Sequence, residues 1–101
     1  MKKKIKVIYI EPGRDPEFRT INNTLEALQI LVKGYIEAVT VASDMVIICN
    51  EEGRLRNMPF NRALSGISFF GPVVLVGTKG EDFADVPFED LYEVEWLGGE
   101  I

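Results

Sequence analysis

The chain reads as an α+β domain, with about five strands in a mainly antiparallel sheet and two helices packed on one of its faces. Three observations lead there. The β-branched and aromatic runs are short and separated by Gly, Pro, Asn and Asp clusters. Hairpin connections dominate between neighbouring runs, which favours antiparallel pairing. Only two segments carry a helical period. The expected order is ββαββ-β-α, and 101 residues suit one core rather than two.

The first strand spans residues 5–10, β-branched and aromatic with Lys6 interrupting it. Pro12 and Gly13 break it, because proline presets one turn torsion and glycine accepts positive φ. Phe18-Arg19-Thr20-Ile21 alternates apolar with polar and returns antiparallel, after a loop through Arg14-Asp15-Pro16. A helix follows. Asn23 is placed to cap it, with Glu26 three residues on, and Leu25, Leu28, Leu31 and Val32 form its apolar face. Gly34 is placed to end it in the left-handed conformation.

Residues 35–41 read as a strand, turned by Ala42-Ser43-Asp44 into a strand over 45–50. Glu51-Glu52-Gly53-Arg54 is a further turn, with Leu55 resuming a ladder beyond it. Residues 58–64 read as a short helical turn or structured loop in which Phe60 and Leu64 anchor Asn61 and Arg62. Val73-Val74-Leu75-Val76 is a continuous apolar run, the pattern of a strand covered on both faces. Thr78-Lys79-Gly80 is a turn. A last helix starts at Pro87, presents Phe88, Leu91, Tyr92 and Trp96 on one face, and stops at Gly98-Gly99.

Composition narrows the chemistry. There is no histidine, which removes Ser-His-Asp and Cys-His catalysis, and the one cysteine allows neither an internal disulfide nor an ordinary zinc site. Cys49 lies within an apolar strand, where an inert core thiol is expected, and a single thiol fits a reducing, cytoplasmic location. The net charge of −5 argues against a general affinity for nucleic acid, whose phosphates need a basic face. The charge is regional. Lys2, Lys3, Lys4 and Lys6 crowd the start, which resembles the charged portion of a signal peptide, but residues 5–11 are too short and too charged to be its apolar portion and read as a first strand with a soluble lead-in. No Lys or Arg follows Lys79, where Glu81, Asp82, Asp85, Glu89, Asp90, Glu93, Glu95 and Glu100 gather. No apolar run reaches the ~20 residues of a membrane span. The glycines fit neither phosphate-binding loop pattern, and no cofactor or metal is expected.

Polar residues concentrate between Asn50 and Arg62. Guanidinium forks hold carboxylates and phosphates, and asparagine amides read an amide or a base edge. The candidate ligand-binding residues are Asn50, Glu52, Arg54, Asn61 and Arg62, set against an exposed hairpin whose charges pair with each other or with water. Glu51 and Glu52 are adjacent carboxylates that point apart if they lie on a strand, so acid–base catalysis is not expected.

Asn23-Thr24-Leu25-Glu26-Ala27-Leu28-Gln29, Gly34-Tyr35-Ile36-Glu37, Cys49-Asn50-Glu51-Glu52-Gly53 and Pro59-Phe60-Asn61-Arg62 together resemble the domain of unknown function 3846 family. The likeness runs from about residue 5 to 82. Lys33 and Met58 stand where glycine and leucine are expected. The resemblance implies a small protein of bacteria, phages or mobile elements, with no established activity. It adds Tyr35 to the candidate ligand-binding residues, beside Glu37.

Two functions follow as expectations. One is a non-catalytic protein holding a small anionic or nucleotide-like ligand at the Asn/Arg-rich site. The other is a protein-interaction or homo-oligomerisation module using the aromatic, acidic C-terminal helix, where Phe83, Phe88, Tyr92 and Trp96 either meet a partner or pack on the chain's own sheet.

Overall fold

Alternating side chains in three apolar strands leave two apolar surfaces to cover, and the architecture follows from that. The computed structural model describes residues 2–98. Its elements are β1 (Lys4–Ile10), β2 (Glu17–Asn22), α1 (Leu25–Val32), β3 (Ile36–Ala42), β4 (Met45–Asn50), β5 (Phe60–Leu64), β6 (Ile67–Phe70), β7 (Val73–Lys79), β8 (Asp82–Ala84), a 3-10 turn (Leu91–Glu93) and α2 (Val94–Gly98). The main sheet runs β2-β1-β7-β4-β3, with β8 paired to the far end of β7. All its pairings are antiparallel. The five strands on the main path are the five expected, and the fold is α+β.

On one face Ile5, Val7 and Tyr9 of β1, Val46 and Ile48 of β4, and Val74 and Val76 of β7 pack under Leu28 and Val32 of α1. On the other, Ile8, Ile10, Met45, Ile47, Cys49, Val73 and Leu75 pack under Leu64 of β5, Phe69 of β6 and Val94 of α2. Each such side chain contributes about 1.5–3 kcal/mol when fully buried. The two helices therefore lie on opposite faces rather than one. An eight-residue α1 covers only its own side, so the second face takes the β5–β6 hairpin and the C-terminal segment.

That hairpin replaces the helical turn or loop expected over residues 58–64. Ser65 and Gly66 form its two-residue turn with φ of 51° and 79°, the paired positive φ that joins tightly twisted strands.

Smaller corrections have local causes. Thr24, not Asn23, caps α1, its hydroxyl accepting from the Ala27 N–H at 3.1 Å. Asn23 instead donates to the Lys2 and Phe83 carbonyls. Leu25 is exposed, leaving Leu28 and Val32 as the buried face of α1. Leu55 sits exposed in the turn after β4 and resumes no ladder. Thr78 and Lys79 extend β7, and the turn falls at Gly80.

The last helix does not start at Pro87. Asp90 is extended and accepts from the Tyr92 N–H, while the Glu93 carboxylate accepts from the Glu89 and Asp90 N–H groups, so helical structure begins only after Asp90. Gly98 ends α2, and Gly99 and Glu100 lie outside the described residues.

Candidate functional site

The six ligand-binding candidates gather near one end of the sheet, where β1 and β4 finish and β7 begins, but they do not meet in one cavity. Asn50, at the end of β4, is 5% exposed. Its amide donates to the Val32 and Lys33 carbonyls at 3.0 and 3.3 Å, and its carbonyl oxygen accepts from the Glu52 N–H at 2.7 Å. It thus joins the end of α1 to the turn that follows β4. The chain closes tightly here. A Cβ on Gly34 would come within 2.7 Å of the Asn50 amide, so glycine is needed for this approach. The left-handed residue is its neighbour Lys33, at φ 65°, where the family resemblance leads one to expect glycine. Arg56 donates to the same Lys33 carbonyl at 3.1 Å.

Asn61 lies on β5, on the opposite layer. Its amide donates to the Ile10 and Gly71 carbonyls, both at 2.9 Å, stitching the hairpin to the end of β1 and the start of β7. Its oxygen accepts from Arg62 Nε at 3.1 Å, and Arg62 Nη2 donates to the Arg14 carbonyl at 2.8 Å. Both asparagines therefore spend their amides on backbone carbonyls left over where strands and helix end, a role in which a buried amide satisfies otherwise costly acceptors.

Arg54 stacks its guanidinium over Phe70, 4.5 Å from the ring centroid. Asn50 and Arg54 line a cleft of about 380 Å³ shared with the Glu37 and Glu51 carboxylates, Cys49 and the β6 strand. Arg62 lines a different cavity. Tyr35 and Glu52 are exposed. Burial, then the Glu37 carboxylate across the strand pair, push the Cys49 thiol up to about 11, which keeps it protonated and unreactive at neutral pH.

A second concavity was not anticipated as a site. Between the β1–β2 loop and the C-terminal segment run two adjoining depressions of about 530 and 590 Å³ that share Asp15, Pro16, Leu91 and Glu95. Phe18, Phe60, Leu64 and Val94 supply apolar walls, and Glu89 and Asp90 add carboxylates. Beside it the expected aromatic stripe divides. Phe88, Leu91, Val94 and Leu97 pack on the sheet, whereas Tyr92 and Trp96 are 76% and 83% exposed. Phe83 packs on the other face. The inward set recurs every third residue, the period of the 3-10 turn that opens the segment. That spacing is present in the sequence, hidden behind the more conspicuous aromatics.

Among the described residues no group of three acidic or thiol side chains is gathered to hold a metal ion, and no helix is long and apolar enough to cross a membrane. Fold and site define a small α+β protein with α1 on one face of its sheet and an acidic, aromatic-edged groove on the other. The chain matches the model of a domain of unknown function (DUF3846) over residues 5–96 and belongs to that family. The match extends past residue 82, where the resemblance read from the sequence stopped, so it takes in the C-terminal segment. No curated protein and no solved structure matches significantly.

Proposed function

We propose that this protein is a non-catalytic protein-interaction module whose binding surface is the C-terminal segment together with the groove beneath it. The observation that carries the reading is the outward pair Tyr92 and Trp96 on a backbone held from below by Leu91, Val94 and Leu97. Exposed aromatic surface of this size favours burial against a partner, and Tyr and Trp are enriched at interface cores. The Asp90–Glu93 capping box holds the segment in shape before binding, which lowers the entropy lost on association.

The anionic-ligand reading draws less support. The Asn50 and Asn61 amides are already engaged, and the cleft at Arg54 carries two carboxylates.

The test is affinity capture from the native cells with the tagged full chain, followed by reconstitution of any captured protein in purified form. A protein bound by the wild type and lost by the Tyr92→Ala/Trp96→Ala double variant, with melting temperature unchanged, is the expected result. Equal binding by the double variant overturns the proposal.

A further inference from the structure

Resting on that reading of the surface, we infer that the groove takes a cationic segment of the partner protein, with Arg or Lys spaced among apolar side chains. Its walls set the requirement. Phe60, Leu64 and Val94 present apolar surface along a channel edged by Asp15, Glu89 and Glu95. The ion pairs among the described residues, Lys2–Asp85 and Arg19–Glu17, lie elsewhere, so none engages these three carboxylates.

One cation, Arg62, lines the groove itself, its guanidinium oriented by the Arg14 carbonyl and Asn61, while Lys6 nearby rests over the Phe18 ring at 4.8 Å. The Asp90 and Glu93 carboxylates are turned to backbone N–H groups in the cap. Four carboxylates, Asp15, Glu89, Asp90 and Glu95, line the two depressions against the single charge of Arg62, a negative balance that disfavours an anion and draws in a positive segment.

The carboxylates are strung along the channel rather than gathered as a metal-binding group, so an extended polycation fits better than a single divalent ion. Tyr92, which lines the groove, completes the match, because a guanidinium stacks on an aromatic face as Arg19 does on Tyr9, 4.4 Å from its centroid, and the exposed Trp96 follows four residues on.

The experiment is selection of a random peptide display library on the immobilised full chain, with the enriched peptides then synthesised for titration. Enriched peptides should carry net positive charge and lose about tenfold or more in affinity between about 50 mM and about 500 mM NaCl. They should also lose about tenfold against the Asp15→Lys/Glu95→Lys double variant, whose melting temperature stays within a few degrees of wild type. Enrichment of neutral or acidic peptides, no enrichment, or indifference to charge reversal overturns the inference. So does self-association of the chain through this groove, seen as a dimer by light scattering.

The two readings fail separately. Peptides lost on Tyr92→Ala/Trp96→Ala but retained on charge reversal leave the surface standing and remove its cationic partner. Peptides indifferent to both sets of substitutions remove both.

Discussion

At the end of the sheet where β1 and β4 finish, polar side chains turn inward; along the C-terminal segment, aromatic side chains turn outward. Asn50 and Asn61 are 5% and 8% exposed, while Tyr92 and Trp96 are 76% and 83% exposed. Residue type taken alone inverts both. What decides each case is the backbone underneath. Strand and helix ends leave carbonyls without partners, and a buried amide is the economical donor for two of them at once. The C-terminal segment has its inner surface already filled by Leu91, Val94 and Leu97, so its aromatics have nowhere to go but out.

The contrast breaks most visibly at Asn61. Asn61→Ala strands the buried Ile10 and Gly71 carbonyls and should cost about 2–4 kcal/mol, read as a lowered urea midpoint at constant slope. A loss below about 1 kcal/mol would mean that the amide is not holding the hairpin to the sheet.

The next effect lies at high pH. Burial holds the Cys49 thiol up at about 11 in the folded chain, above its unfolded value of about 9. A raised folded value means that the native state keeps its proton longer. The associated stability is whole below the unfolded value and is lost as pH climbs to about 11. Tyr9, held up to about 12 by burial and by donating to Glu11, continues the decline. Wild-type stability, read from thermal melts, should fall by about 3 kcal/mol from pH 8 to 11, about 2 of it from Cys49, and Cys49→Ala should flatten the lower part of that slope. Parallel slopes in the two proteins would contradict the assignment.

The smallest effects sharpen the other half of the comparison. Val94→Ala should cost about 1–2 kcal/mol, since Val94 is 2% exposed, whereas Trp96→Ala should stay within about 0.5 kcal/mol by chemical denaturation. A Trp96 loss as large as that of Val94 would place the indole in the fold rather than on a binding surface.

The main sheet is legible in the residues because β1, β4 and β7 are short apolar runs that cannot be stable exposed. The β5–β6 hairpin is harder to read. Phe-Asn-Arg-Ala-Leu mixes polar and apolar residues without clean alternation, and a register shift between Phe60 and Arg62 blurs the period further. Its one clear local signal is Ser65-Gly66, a two-residue turn.

The polar cluster is legible as a place but not as a role. An asparagine in a sequence does not declare which orphan carbonyl it will meet, because Ile10 and Gly71 come beside Asn61 only once the sheet has formed. The groove is hidden for the same reason, joining a loop at residue 15 to a segment near residue 95.

β7 sits between β1 and β4 and also holds β8, yet it enters late in the chain. Ile10 must wait for Val73, and Cys49 waits for the same residue. During synthesis the β1–β2 and β3–β4 hairpins therefore emerge as separate ribbons with apolar sides and no strand to join them. Folding is gated by delivery of one strand, a non-local closure of the slow kind, and a ribosome stalled before residue 79 would carry two sticky half-sheets.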